Sequence, residues 1–244
     1  MQHLLEYIGT RTEGLSSNPF ITWLSDTSIP PRERLSAWLP CAAFFVFGFK
    51  DLNADGLRYQ EDEALVDPLK AAINQHGEED SMHWPWYLSD LRTLDLDRTM
   101  KLSEALKFLW SDETIAQRQA VYRLHALMYQ AQEPLLRYSA IAALESYAHL
   151  LFAAVTKVSA QLEQESGIRL KYLGPVHLDK EPGHMANQED ETEDLLLKQT
   201  LDEATRAKAI EIAGLVCDVI DQRWIEFHKF AMRAEEGQTV GAGR

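Results

Sequence analysis

Cysteine is scarce in this chain: Cys41 and Cys217 are the only two in 244 residues, and no CxxC or other metal-type spacing exists. That excludes a disulfide framework and leaves no thiolate set for an iron–sulfur cluster. Both thiols lie in apolar runs, Cys41-Ala42-Ala43-Phe44-Phe45-Val46-Phe47 and Leu215-Val216-Cys217. Desolvation there raises a thiol pKa, so they read as buried structural residues rather than nucleophiles. Cations are also in deficit: 24 Lys and Arg stand against 38 Asp and Glu, a formal net charge of −14. That balance disfavours nucleic acid, whose phosphates need Lys and Arg to displace counterions, and equally an anionic membrane surface. The expected partner is a small-molecule substrate or another protein, and apolar helix faces are compatible with a homodimer.

Long hydrophobic runs are missing too. The longest, Ala37 to Phe49, carries Pro40 and Gly48 and reads as too short to span a bilayer. Met1-Gln2-His3-Leu4-Leu5-Glu6-Tyr7 lacks the charged region and apolar core of a signal peptide. A cytoplasmic location is the expectation. No Pro/Gly/Ser-rich linker divides the chain, so residues 1–234 read as one domain and 235–244 as a disordered tail. The hydrophobic fraction of 45% is enough for one sizeable core without disulfides.

Sustained period-two alternation is absent as well, which removes the signal for half-buried strands. Apolar residues recur instead at three- and four-residue spacing. Pro30-Pro31 opens a helix expected to run to about Lys50, and Asn53-Ala54-Asp55-Gly56 makes a turn. Asp67-Pro68 is a cap-and-first-residue pair for a helix expected to continue through His76 to about Trp84, where Pro85 kinks or restarts it. Helices follow near Lys101–Trp110 and Thr114–Ala131. Pro134 opens the most apolar helix, to about Gln164, closed by Gly167. A further element is expected from about Arg169, interrupted at Gly174-Pro175 and Pro182-Gly183, and a last helix runs through Ile212 and Trp224 to about Met232. The expected architecture is an all-α bundle of about six to eight helices.

Three stretches in this helical frame carry imidazole and carboxylate together. His76, Glu79, Asp80 and His83 fall at i, i+3, i+4 and i+7, one helical face. A solvated charge run explains the acids but accounts less well for two histidines a heptad apart. Glu145 sits inside Ile141-Ala142-Ala143-Leu144-Glu145-Ser146-Tyr147-Ala148-His149, where a carboxylate is costly unless paired, protonated or bound to metal. His149 reads most simply as a core histidine. His177, Glu181 and His184 form H-x3-E-x2-H, one face if helical and a polar loop otherwise, because Pro182 removes a backbone donor. Jointly the stretches suit iron or manganese, with zinc also compatible, held between facing helices.

At these residues the chain resembles the heme-oxygenase-like superfamily, which includes the TenA proteins, the CADD-like proteins and the heme-oxygenase-like di-iron oxidases. His83 matches the first-helix histidine of the di-iron members and Glu145 the middle glutamate. His177, Glu181 and His184 match the third motif, with Glu in place of Asp. Asn18-Pro19-Phe20 is similar to the His-Pro-Phe opening of the superfamily. The chain departs from the pattern at His76, where a glutamate commonly stands; Glu79, or Asp80 as a second candidate, can substitute from one turn further on.

The resemblance implies a heme-oxygenase-like bundle and a di-iron oxidase or oxygenase that takes dioxygen as co-substrate. Its substrate would be a small organic acid, amine or amino acid. It implies two irons held by His76, Glu79, His83, Glu145, His177, Glu181 and His184, with Glu145 and Tyr147 as catalytic residues. Tyr87, Tyr138, Tyr147 and Trp84 are expected around the pocket. Two other readings compete. One is a metal-free TenA-like hydrolase or small-molecule binding protein. The other is a non-catalytic acidic scaffold, which predicts exposed and separated histidines.

Overall fold

Apolar spacing of three and four makes every regular element a helix. The computed structural model describes residues 2–179 and 202–235, and no strand occurs among them. In chain order the helices are α1 (Gln2–Glu13), α2 (Pro19–Leu24), α3 (Pro31–Ser36), α4 (Ala43–Asp51), α5 (Glu61–Ala64) and α6 (Pro68–Asp80). They continue with α7 (Trp84–Thr93), α8 (Leu102–Leu109), α9 (Ile115–Gln130), α10 (Pro134–Ser166), α11 (Pro175–Leu178) and α12 (Glu203–Glu235). The number exceeds the expected six to eight because proline-led short helices such as α2, α3 and α11 stand apart.

The spine is a pair of long helices. α10 and α12 pack on each other, and α1, α2, α3 and α6 pack on α10. Residues Leu135 to Leu144 of α10 are all buried, so this half of the helix is core on every side. The Ser139 hydroxyl there donates to the Leu135 carbonyl at 2.7 Å. Gly167 ends α10 with φ 73°, the left-handed conformation that favours glycine, and its N–H donates to the Glu163 carbonyl. At the opening of α2, Asn18 Oδ1 accepts from the Phe20 N–H at 2.9 Å with Pro19 at the first helical position. That cap delivers Phe20 into the core, where it meets Trp38 edge-on at 5.2 Å and Phe227 at 5.4 Å. Each such ring contributes about 2–3 kcal/mol by burial.

Several expected helices are cut differently. The stretch from Pro30 to Lys50 is not one α-helix: Pro40 lies in a 3₁₀ turn, Leu39–Ala42, that separates α3 from α4. Even so, Pro31–Gly56 as a whole, which extends past the Ala37–Phe49 run at both ends, is long and apolar enough to cross a membrane by length and composition alone. So is Pro134–Ser166, and the apolar window of each is about half buried within the fold, 50% and 56%. The helix through His76 stops at Asp80, and Pro85 sits in the first turn of a new helix, α7. No helix begins at Arg169; residues 167–174 are irregular until Pro175. The acidic run Glu189–Asp194 and the 236–244 part of the tail lie outside the described residues.

α1 was not anticipated from sequence. Its Leu4 and Ile8 are buried, and it packs on α10 and α12.

Candidate metal centre

α6 is held tightly before it presents anything. Asp67 Oδ1 caps it by accepting from the Leu69 N–H at 2.9 Å and the Lys70 N–H at 3.3 Å. At Gly77 a Cβ would lie 2.7 Å from the Asn53 carbonyl oxygen, so only glycine allows this approach to the Leu52–Gly56 turn. Next to it, His76 and Asp80 are buried, at 5% and 6% exposure, while Glu79 is exposed. Glu79 instead accepts from Gln75 Nε2 at 3.2 Å. Of the two acids offered as substitute ligands, Asp80 is the one on the buried side of the helix with His76, and Glu79 is on the exposed side. With about 100° per residue, i+4 lies roughly 40° from His76 around the helix and i+3 roughly 60° on the other side. The buried side of α6 takes the former.

α10 supplies the third group from the facing side. Glu145 Oε1 is 3.5 Å from His76 Nε2, and Asp80 Oδ2 is 3.4 Å from the same nitrogen. One donor atom from each of His76, Asp80 and Glu145 lies within 4.8 Å of the other two. These separations are long for hydrogen bonds. They are near the spacing of neighbouring ligand atoms around one ion, about 3.0–3.4 Å when metal–ligand bonds are near 2.1 Å.

Two histidines adjoin the triad. His83 lies in the turn after α6, and its Nδ1 is 3.7 Å from Asp80 Oδ1, so the two oxygens of Asp80 face different imidazoles. His177, buried on α11, has Nε2 3.1 Å from His83 Nδ1. His177 Nδ1 is 2.9 Å from the Tyr172 carbonyl, which can only accept, so that nitrogen carries the proton and Nε2 turns its lone pair inward. The His83 ring stacks on Trp86 at 4.7 Å, and Phe152 packs on His177 at 3.9 Å.

The loop between α10 and α11 is fixed from α7. Asp90, fully buried, accepts the Lys171 N–H at 2.8 Å on Oδ1 and the Leu173 N–H at 2.9 Å on Oδ2. Burial raises its pKa, and the backbone N–H groups oppose that rise. At Gly174 a Cβ would lie 2.0 Å from the Leu170 carbonyl oxygen, a contact no side chain can relieve. Gly174→Ala is expected to push α11 and His177 off their place at a cost of about 1–3 kcal/mol, read as a lower Tm. An unchanged Tm would mean that the loop re-forms at no cost.

A cavity of about 70 Å³ opens beside these groups. Asp80, His83, Glu145 and His177 share its lining with Phe45, Phe49, Leu151 and Phe152. Of the expected wall residues, Trp84 and Tyr147 line it; Tyr87 and Tyr138 are buried elsewhere, and the Tyr87 hydroxyl donates to the Leu39 carbonyl at 2.9 Å. The Tyr147 hydroxyl lies 3.3 Å from Asp221 Oδ2, and burial raises its pKa, so it stays protonated. His149 is exposed, which corrects the expectation of a core histidine: it falls on the solvent side of α10. Glu181 and His184 lie outside the described residues.

Sequence reading overlooked Arg223 and Tyr172, which also line the cavity. Arg223 could have been found, because it shares a helical face with Ile220 and Phe227, both in the core. The scaffold reading predicted exposed, separated histidines, whereas His76, His83 and His177 are buried together.

Both thiols are buried and free, and burial pushes Cys41 up to about 12. Burial raises the Cys217 thiol as well, so neither cysteine is expected to react with iodoacetamide in the native protein. Both should label once the chain is unfolded in urea. Rapid native labelling of Cys41 would revive the cysteine-nucleophile reading. No family model matches this chain, and no curated protein matches it either.

Proposed function

We propose that this protein is a non-heme, iron-dependent oxidase or oxygenase of the heme-oxygenase-like group, working with two irons and dioxygen on a small organic molecule. The observation that carries this reading is the meeting of His76, Asp80 and Glu145 donor atoms within 4.8 Å, from two helices, beside a cavity. The donor set fits the metal: imidazole nitrogen and carboxylate oxygen without thiolate suit iron or manganese. Two nearly buried carboxylates side by side are costly in each other's company, and a dication offsets that cost.

His76, Asp80 and Glu145 would hold one ion. His83 and His177, with the second oxygen of Asp80, would hold part of another, and Glu181 and His184 are the expected completion of that set. Bound iron would supply activation of dioxygen. The protein's own residues do the rest. The Tyr172 carbonyl keeps the His177 proton on Nδ1 and so keeps Nε2 available as a ligand. Asp90 holds the loop that carries this carbonyl. Phe45, Phe49, Leu151 and Phe152 exclude water from the cavity, and Tyr147 forms wall there with its proton directed at Asp221.

The test is metal analysis after anaerobic ferrous iron addition, followed by an absorbance scan as oxygen is admitted. About two irons per chain and a transient visible band support the reading. A folded protein that takes up no iron sinks it.

A further inference from the structure

Arg223 is 7% exposed and lies on α12 in the wall of the metal-site cavity. Its guanidinium lies over the Phe45 ring at 3.4 Å and near Phe227 at 4.8 Å. Its Nε donates to Gln117 Oε1 at 3.0 Å. That is one of the five N–H donors of a guanidinium, and no described residue accepts from the other four. No carboxylate pairs with it among the described residues, and its electrostatic neighbours are the neutral groups of Tyr172 and Cys41. Burial lowers its pKa only to about 10, so it is a cation at neutral pH.

The other buried arginines are finished differently. Arg34 donates to the Leu24 and Ile29 carbonyls, Arg118 to those of Leu109 and Ser111, and Arg137 to those of Ala131 and Leu57. Each of those side chains ties loops and helix ends together. Among the described residues Arg223 ties down nothing but Gln117, although a buried cation without an anion is among the costliest features a fold can hold. The cavity that it lines gives an anion a place to reach it. Lys50 also lines that cavity, more exposed and 3.1 Å from Asp51, and the two acids in its wall, Asp80 and Glu145, are those that face His76.

We infer that this cavity takes a compact monocarboxylate, held by the terminal N–H fork of Arg223, with its apolar tail against Phe45, Val46, Leu151 and Phe152. One fork and one planar anion match in geometry and charge. The volume of about 70 Å³ is below that of a cavity that holds benzene, about 150 Å³, which confines the acid to a short chain. The inference rests on the metal-site reading only for which cavity is the substrate's. It selects the acid, rather than the amine, among the small molecules considered above.

The experiment uses chelator-treated full-length protein, so that no metal can bind the ligand. Tryptophan fluorescence is followed, because Trp84 and Trp224 line the cavity. Acetate and propionate are titrated at constant ionic strength beside propionamide and propylamine. Saturable binding of the acids is expected, with the amide and amine at least about tenfold weaker. Arg223→Gln should weaken propionate at least about tenfold while leaving propionamide unchanged. Equal affinity for propionate and propionamide, or undiminished propionate binding in a folded Arg223→Gln, overturns the inference. If that variant fails to fold, the acid-against-amide comparison on the wild type decides. Iron uptake on the same preparations separates the two readings. Carboxylate binding through Arg223 without iron uptake defeats the metal reading alone; iron uptake with no dependence of propionate on Arg223 defeats this one alone.

Discussion

Alanine at Glu145 is expected to lower iron affinity at least about 100-fold and to remove the oxygen-dependent absorbance band, while the helical circular dichroism stays intact. Partners that only orient a ligand cost 10–100-fold when lost, so a direct ligand should cost the upper end or more. Asp80→Asn is expected to match or exceed this, because its two oxygens face two different imidazoles, His76 at 3.4 Å and His83 at 3.7 Å. Glu79→Ala is the discriminating control. Glu79 is exposed and accepts from Gln75, so its loss should leave iron content unchanged. If Glu79→Ala emptied the site while Asp80→Asn did not, the helix face assigned here would be the wrong one. Unchanged iron in Glu145→Ala would refute the centre altogether.

Asp90→Ala is expected to cost about 3 kcal/mol and to release His177 as well. It strips acceptors from the Lys171 and Leu173 N–H groups, each worth about 1–3 kcal/mol when left unpaired in the interior. The same loop carries the Tyr172 carbonyl that sets the His177 tautomer. Denaturant unfolding measures the first effect. The second should appear as reduced iron stoichiometry, with the His76, Asp80 and Glu145 group still loaded.

The pH dependence has a definite sign. Burial raises the folded-state pKa of Asp90 above its ordinary 3.8, so between the two values the folded protein binds more protons than the unfolded. The stabilising contribution of Asp90 is greatest below the ordinary value and declines as pH rises through the raised one. The stability gap between wild type and Asp90→Ala should therefore narrow as pH rises across that window. A gap that widened would show that the backbone N–H groups outweigh burial.

Local chemistry made much of the scaffold legible. Asp67-Pro68, Pro134 and Gly167 begin and end helices where their backbone preferences require, because caps and proline act over one turn and depend little on the rest of the chain. Glu145 was legible for a related reason: a carboxylate in an apolar helix is conspicuous wherever that helix packs. Prolines were legible unevenly. Pro85 restarts a helix, one of the two outcomes expected for it, whereas Pro40 was read as helix interior and lies in a 3₁₀ turn.

By itself the sequence determined the helical class, the burial of both thiols and the presence of imidazole and carboxylate in three separate stretches. These follow from periodicity, composition and local backbone limits. Tertiary structure decided which members meet. It chose Asp80 over Glu79 through the side of α6 that Gly77 brings against Asn53, and it returned His83 to Asp80 across a turn. It also set Arg223 in the wall of the same cavity, from a helix some 80 residues beyond Glu145 in a pairing with α10 that no local spacing encodes. Periodicity gives the faces of a helix; only packing determines what each face meets.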